Sequence, residues 1–439
     1  MQKLLLVHPV NLLNRGLTTN RHNRIPPLGL GIVAALTPKH WEVEILDENY
    51  EEFKFKDCDL VGITAFTSQA NRAYEIAKIC KEHGVTVIMG GIHATMVKEE
   101  ALQYVDTIVT HEAESIWETV IKDFENKELK PEYAGTWLSM ENQVPARHDL
   151  FHPDYYYGAI QTTRGCPYDC DFCSVTAFNS NKYRYRNVDD ILNELETINK
   201  RLIYIVDDNL IGNSTQSRKR ALALFKGIIE RGIDIEIMTQ ADINFADDEE
   251  VLKYAAKAGI KQVFIGIEAE KEDILKDMNK KSNLKKGVEN YKIAIKKINK
   301  YKIAVMGGII LGLDNDNVKD VIDRAKFLVR SPVNSMAASC LTPLPGTRVF
   351  SKMQEENRLL ETNYPKDWEK YDFFHTVFKP KKMSQKELEE AYKKAIKKIF
   401  SKTSIYKKYI STRIRTKSEL IARWTYYTNM HMRQAVYKD

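Results

Sequence analysis

Residues 157–173 read YGAIQTTRGCPYDCDFC. A strand-like run ends in two threonines, and three cysteines then follow in C-x3-C-x2-C spacing: Cys166, Cys170 and Cys173. With six cysteines in 439 residues, a chance match to this spacing has a probability of roughly one in a thousand. Three thiolates on one loop can hold three corners of an iron–sulfur cube and leave the fourth iron open. Zinc is the other reading, but a closed zinc site takes four ligands. No Cys or His at zinc spacing supplies a fourth, although His148 and His152 precede the loop. Cys58, Cys80 and Cys340 are scattered in apolar surroundings. That usage fits a reducing, cytoplasmic setting better than a disulfide framework.

Working outward, strand and helix patterns alternate on both sides of the loop. Downstream, IYIVDD (203–208), IEIMTQ (235–240), QVFIGIE (262–268), IAVMGGIILG (303–312) and NSMAASC (334–340) alternate with helical stretches. With the run before the cysteines they make six βα units, the count of the partial barrel that the resemblance given below implies, whose chemistry belongs at the carboxyl ends of its strands. Upstream, LLLVHP (4–9), VEIL (43–46), LVGITAF (60–66), VTVIMGG (85–91) and VDTIVT (105–110) predict a flavodoxin- or Rossmann-like open parallel sheet covered on both faces. Two of its strand ends carry small and hydroxyl residues: Thr64, Phe66, Thr67, Ser68 and Gln69, then Gly90, Gly91 and His93. A glycine pair there lets a flat cofactor or a phosphate approach the backbone closely.

C-x3-C-x2-C with an aromatic residue, Phe172, before the last cysteine is similar to the signature of the radical S-adenosylmethionine (SAM) superfamily. The upstream segments ITAFTSQANRAYEIA, GGIHAT and HEAESIW, with Thr64 and Gly90 separated by 26 positions, resemble the cobalamin-binding domain that precedes the barrel in class B members. The resemblance implies a [4Fe–4S] cluster on Cys166, Cys170 and Cys173, whose open iron chelates SAM. It implies SAM contacts at the strand ends, from Asp207, Asp208 and Asn209, then Gln240, Glu268, Gly308 and Pro345. It implies cobalamin against Thr64, Phe66, Thr67, Ser68, Gln69, Gly90, Gly91, His93 and Glu112. The D-x-H-x-x-G loop that supplies a cobalt-ligating histidine in other cobalamin domains is replaced by His8-Pro9-Val10-Asn11-Leu12-Leu13, which implies cobalamin with its own base displaced and no such ligand.

The activity implied is methyl transfer from methylcobalamin to an unactivated carbon, one SAM methylating cobalt and another yielding a 5′-deoxyadenosyl radical. The alternative is radical cyclisation, ring rearrangement or C–C coupling, for example on a lipid, without methyl transfer. Either needs a reductase such as flavodoxin or ferredoxin. The substrate, a peptide, a lipid or a small metabolite, stays open.

The expected division is a cobalamin-type domain over 1–130, a linker over 131–155, the barrel over 156–350 and a helical extension over 351–439. Ser384 and Glu387 form a capping box for a helix over 384–400, and a last helix covers 416–436, in a segment expected to determine substrate choice. Residues 379–415 carry thirteen Lys or Arg against three Glu. This is a solvated helical face, or a docking surface for an acidic partner, a membrane surface or RNA. Net charge is only +6, so nucleic acid is not an expected partner. No run of ~18 apolar residues suits a transmembrane helix, and the N-terminus reads as a buried strand rather than a signal peptide.

Overall fold

The computed structural model describes residues 1–13 and 21–437. Two compact units emerge. One holds Met1–Tyr155 with Leu344–Gly346 and Glu361–Asp372; the other holds Tyr156–Pro343 with Thr347–Leu360 and Phe373–Asp439.

The first unit is built on β1 (Gln2–His8), β2 (Trp41–Asp47), β3 (Leu60–Thr64), β4 (Thr86–Gly90), β5 (Thr107–Thr110) and β6 (Glu132–Ala134), in the order β2-β1-β3-β4-β5-β6 and parallel throughout. Leu4, Leu5, Leu6 and Val7 are all buried, because an inner parallel strand is covered on both faces and must be apolar on both. Helices α1 (Leu28–Leu36), α2 (Ala70–Glu82), α3 (Gly91–Met96), α4 (Lys98–Ala101) and α5 (Trp117–Glu125) connect or cover the strands. The expectation of five strands and a linker from 131 is corrected by β6, which pairs with β5. Its three residues, Glu-Tyr-Ala, bury only Tyr133, too short a pattern to stand out by periodicity. The segment 361–372, expected with the helical extension, also belongs to this unit. Trp368 is 2% exposed there and donates its indole N–H to Glu100 at 3.0 Å.

The second unit carries β7 (Gly158–Ile160), β10 (Leu202–Ile205), β11 (Glu236–Gln240), β12 (Ile260–Glu268), β13 (Ala304–Leu311) and β14 (Ser335–Cys340) in one parallel sheet, ordered β14-β13-β12-β11-β10-β7. These are the six expected βα strands. A short antiparallel pair, β8 (Thr163–Arg164) and β9 (Arg184–Tyr185), brackets the cysteine loop. Helices α6 (Ser174–Asn179), α7 (Val188–Thr197), α8 (Thr215–Glu230) and α9 (Glu249–Lys257) alternate with the strands. After β12 the chain forms three short helices, α10 (Glu272–Asp277), α11 (Lys281–Lys286) and α12 (Tyr291–Lys300). The breaks fall at Asn279 and Gly287, both at positive φ. Helix α13 (Val318–Arg330) follows β13, and α14 (Arg348–Glu355), α15 (Gln385–Ile399), α16 (Lys402–Thr416) and α17 (Glu419–Tyr437) complete the unit. No helix among the described residues is long and apolar enough to cross a membrane.

The Ser384–Glu387 capping box opens α15; α16 lies in a stretch that sequence patterning left without an element. The last two helices do not meet the carboxyl ends of the strands, where the tail was expected to shape substrate choice. They sit at the amino ends. Ser418 bonds Glu236, the first residue of β11, Tyr156 donates to the Leu420 carbonyl at 3.2 Å, and Ile421 packs with Leu202, Met238 and Ala304. The apolar residues at the strand beginnings need a cover, and α17 supplies one.

At the other end of β13 a buried ion pair sets the turn. Arg324, fully buried, reaches Asp316 at 2.6 Å and Glu270 at 2.8 Å, and donates to the Ile310 carbonyl at 2.9 Å. Asp316 in turn accepts from the Gly312 and Leu313 amides. Arg324→Met leaves Asp316 buried without its cation and is expected to cost about 3–5 kcal/mol, read as a fall in the urea midpoint. The double variant with Asp316→Asn should recover part of the loss.

Candidate functional site

The loop bearing the cysteines is held from behind by a carboxylate. Asp207, just after β10 and fully buried, accepts from the backbone N–H of Thr162 at 2.6 Å and of Thr163 at 2.9 Å, and from the Thr162 hydroxyl. Burial raises its pKa, against the Arg220 charge and these hydrogen bonds. Asp208 accepts from the Gly165 amide at 3.1 Å; burial pushes its carboxyl up to about 6, with the Asp207 charge adding to the rise. Gly165 must be glycine: its φ is +80°, and a Cβ there would lie 1.9 Å from the Lys182 carbonyl oxygen. In front, Arg348 bonds Asp171 at 2.8 Å and the Asp169 carbonyl at 2.7 Å. The loop is thus clamped at both ends.

Burial pushes the Cys166 thiol up to about 11 and the Cys170 thiol to about 12, and in both the Lys280 charge works the other way. Each of these thiols senses Cys173, yet no three His, Cys, Asp or Glu side chains among the described residues converge on a single-ion position. Three cysteine thiols on one loop are the donor type that an iron–sulfur cluster takes.

The remaining strand-end residues divide into those near the thiols and those tied elsewhere. Asn209 hydrogen-bonds Cys166, donates to Asp242 at 3.1 Å and accepts from the Ile211 and Gly212 amides. Gln240, ending β11, donates to the Tyr204 hydroxyl at 3.0 Å. Glu268, ending β12 at positive φ, accepts from the Lys280 ammonium at 2.9 Å. Gly266 makes room for that carboxylate, since a Cβ there would lie 2.2 Å from Glu268 Oε1. Gly308 serves packing: its Cβ would strike the Phe264 ring at 2.6 Å. Pro345 falls in the first unit, beside Gly346, where a Cβ would meet the Met96 sulfur at 2.3 Å. The Phe172 ring has the Lys280 ammonium 5.8 Å from its centre.

In the first unit, Thr64 and Gly90 are lateral partners at adjacent strand ends. Gly91 has φ +89°, and a Cβ on it would lie 2.6 Å from Thr64 Oγ1. The loop after β3 leaves Phe66 63% exposed while Thr67 is buried; Ser68 stands between them and Gln69. Gln69 closes the loop, accepting from the Phe66 amide at 2.9 Å and donating to the Pro9 carbonyl at 2.8 Å. Glu112 is buried at the end of the β5 loop. His93 is placed otherwise than an exposed contact would be: it is 0% exposed, its Nε2 lies 2.9 Å from the Tyr74 hydroxyl, and Glu100 is 3.6 Å away. Burial works against the Glu100 charge, but hydrogen bonds from His93, Tyr74 and Trp368 hold its pKa below the ordinary value.

Residues 160–328 match the Radical SAM superfamily and residues 14–121 match the B12 binding domain. The bacteriochlorophyllide d C-12(1)-methyltransferase of Chlorobaculum tepidum is 31% identical over 398 residues, covering 87% of this chain and 84% of that protein. This chain is a cobalamin-dependent radical SAM enzyme. The bacteriochlorophyllide d C-8(2)-methyltransferase of the same organism is 28% identical and covers 80% of each chain. Among solved structures, the radical SAM methyltransferase TsrM from Kitasatospora setae, with cobalamin and a [4Fe–4S] cluster bound, has a TM-score of 0.70 at 16% identity, covering 99% of both chains. That likeness is one of fold.

For a radical SAM enzyme the most informative residue is one that sequence patterning passed over. Lys280 lies twelve positions after Glu268, between two short helices, with no motif to mark it. Burial opposes its charge, but Glu268 and the cysteine thiols outweigh that and hold the ammonium above the ordinary lysine range. Arg348 was passed over too; its signal, an Arg at a helix start, is indistinct from any surface basic residue. A cavity of about 440 Å³ opens beside the loop, lined by Asp171, Phe172, Leu313, Leu341 and Arg348 among others.

Two variants separate the units. Lys280→Met is expected to retain iron while reductive SAM cleavage falls about 10- to 100-fold, the worth of one charge-assisted hydrogen bond; Lys280→Arg should restore part of it. Gly91→Ala should lose bound cobalt and keep iron, because the strain and the clash with Thr64 are confined to the β4 end.

Proposed function

We propose that the enzyme transfers a methyl group to an unactivated carbon of its substrate. One observation carries this: the chain spans nearly the whole of a C-methyltransferase to which it is 31% identical, and it has both domains that such chemistry needs. When bound, the cluster, SAM and cobalamin supply an electron, a hydrogen-abstracting radical and a transferable methyl group.

In this reading Cys166, Cys170 and Cys173 would hold three irons through thiolates, favoured by the Lys280 charge beside otherwise buried thiols. Asp208 and Asn209 present polar groups next to Cys166, suited to the ammonium of SAM. Gln240 and Glu268 offer hydrogen bonds at the next two strand ends, and Glu268 has its Oε1 already engaged by Lys280. Asp207 acts as a positioning residue, aligning the strap before the cysteines. Phe172, on the same loop, sets its ring near the Lys280 ammonium and lines the cavity beside the loop. Gly308 and Pro345 act through packing.

In the first unit, Thr64, Ser68, Gly90 and Gly91 would receive cobalamin at the strand ends. Thr67, Gln69 and Glu112 shape the loops around them, and the exposed Phe66 ring offers an apolar contact. His93 contributes through Tyr74 and Glu100 and is a positioning residue here. The acceptor is a carbon without an acidic proton, since proton abstraction would not need a radical. The electron donor, which any radical SAM enzyme requires, is of flavodoxin or ferredoxin type, in a reducing cytoplasm that keeps cysteines out of disulfides.

The experiment is anaerobic. The protein, produced with excess cobalamin and reconstituted with iron and sulfide, is expected to carry about one cobalt and four irons per chain. Under reduction with SAM and a methyl acceptor it should form S-adenosylhomocysteine beside 5′-deoxyadenosine. Four irons with no cobalt, or 5′-deoxyadenosine alone with every acceptor that is turned over, would overturn methyl transfer in favour of radical cyclisation or coupling.

A further inference from the structure

Two cations meet at the amino end of the barrel strands with no carboxylate between them. Lys408, on α16, donates to the Ser331 carbonyl at 3.0 Å and the Val333 carbonyl at 2.6 Å. Arg415, two turns on, donates to the Pro332 carbonyl at 3.3 Å. Both line a groove of about 400 Å³ with Ser401, Ser404, Lys407 and Ser411, and its lining includes no Asp or Glu. Burial, and after it the Arg415 charge, pushes the Lys408 ammonium down to about 8. The groove therefore holds positive charge that the described residues leave uncompensated.

Two further features point the same way. The groove takes in the first turn of α16, a fifteen-residue helix capped by Ser401, whose hydroxyl accepts from the Ser404 amide at 3.3 Å. The positive end of its dipole lies there. Ser404 is only 7% exposed, and its hydroxyl has no hydrogen-bond partner. A buried hydroxyl left unpaired is costly and is rarely left so in a native fold. Clamping three successive carbonyls explains why Lys408 and Arg415 sit where they do, but it neutralises neither charge and does nothing for Ser404.

We propose that this groove binds a phosphate group, free or carried as an ester, at the end of the barrel opposite the radical chemistry. A phosphate presents its acceptor oxygens in a tetrahedral array and carries up to two negative charges, enough to take a hydroxyl, an ammonium and a guanidinium together.

The probe is inorganic phosphate, added to the reconstituted holoenzyme against chloride at matched ionic strength. Expected is a saturable rise in melting temperature and a titration heat specific to phosphate. Arg415→Gln and Ser404→Ala should each weaken the apparent affinity at least about tenfold, the loss of one charge-assisted or buried hydrogen bond. Ser404→Ala, which removes one oxygen, keeps the test usable if the arginine variant fails to fold. A purely structural clamp would lower the baseline melting temperature of Arg415→Gln and leave the phosphate shift intact in both variants; that result, or no difference between phosphate and chloride, overturns the proposal. Co-sedimentation with phosphatidylcholine vesicles, with and without phosphatidic acid, then assigns the source. Binding that needs phosphatidic acid and is competed by free phosphate makes the ligand a lipid headgroup. Phosphate binding without vesicle binding makes it a soluble phosphate.

Discussion

The cysteine loop is only as well placed as the carboxylate behind it. Asp207 is fully buried, and a buried carboxylate is tolerated only when its hydrogen bonds and a counter-charge make up for lost hydration. Here they come from the strap that leads to the cysteines: two amides and a hydroxyl of Thr162 and Thr163. Arg220 supplies the charge and donates to the Thr162 carbonyl at 3.0 Å, while Arg186, paired with Glu194 at 2.6 Å, donates to the Gln161 carbonyl. The two threonine amides, the Thr162 hydroxyl and the Gln161 and Thr162 carbonyls are thereby committed, and the chain leaves the strap through Gly165 at positive φ. The thiols inherit their positions from that exit.

The same economy places the charge around the thiols. A thiol at the carboxyl end of a parallel sheet is buried, and burial favours its neutral form. A cation nearby works against that preference. Lys280 is delivered by the break between α10 and α11, where Asn279 turns the chain at positive φ and donates to the Asp169 carbonyl at 2.5 Å. The break therefore has a chemical consequence: it sets Lys280 beside the cysteine loop, paired with Glu268.

Much of this molecule is legible in its sequence because parallel strands are apolar on both faces and helices announce their caps. The strand order itself was not, but the number of barrel strands, the cysteine loop and the Ser384 cap all follow from local pattern. What escaped was of two kinds. Short or polar elements, β6 and α16, lack periodic signal: three residues are too few, and α16 mixes Lys, Tyr and Ser around its axis. Long-range pairings escaped as well. Nothing in Tyr-Pro-Lys-Asp-Trp (364–368) says that Trp368 will close over Glu100, and nothing in Gly-Gly-Ile-His (90–93) says that the histidine will turn inward to Tyr74 and not outward toward a ligand. A histidine beside a glycine pair at a strand end reads as a cofactor contact. Yet α3 starts at Gly91, and one half-turn of helix carries residue 93 to the opposite, buried side.

The two ends of the barrel are under opposite demands, and the tail is explained by the lesser one. At the carboxyl ends, strand-end residues are polar and held by polar partners, Asp207 by the Thr162 and Thr163 amides, Gln240 by Tyr204 and Glu268 by Lys280. At the amino ends the inward residues are apolar, Leu202 and Ala304 among them, and would face water without a lid. Helix α17 closes that end with Ile421 and Trp424, and α16 is pinned beside it by cations holding carbonyls. A run of lysines and arginines on a tail suggests a surface for something outside the molecule. Here two of those cations are instead drawn inward, where their charge is an unsatisfied demand of the fold itself. The basic character of the segment is thus not one property but two: a solvated outer face that any helix of this composition presents, and an inner pair whose cost requires a specific anion.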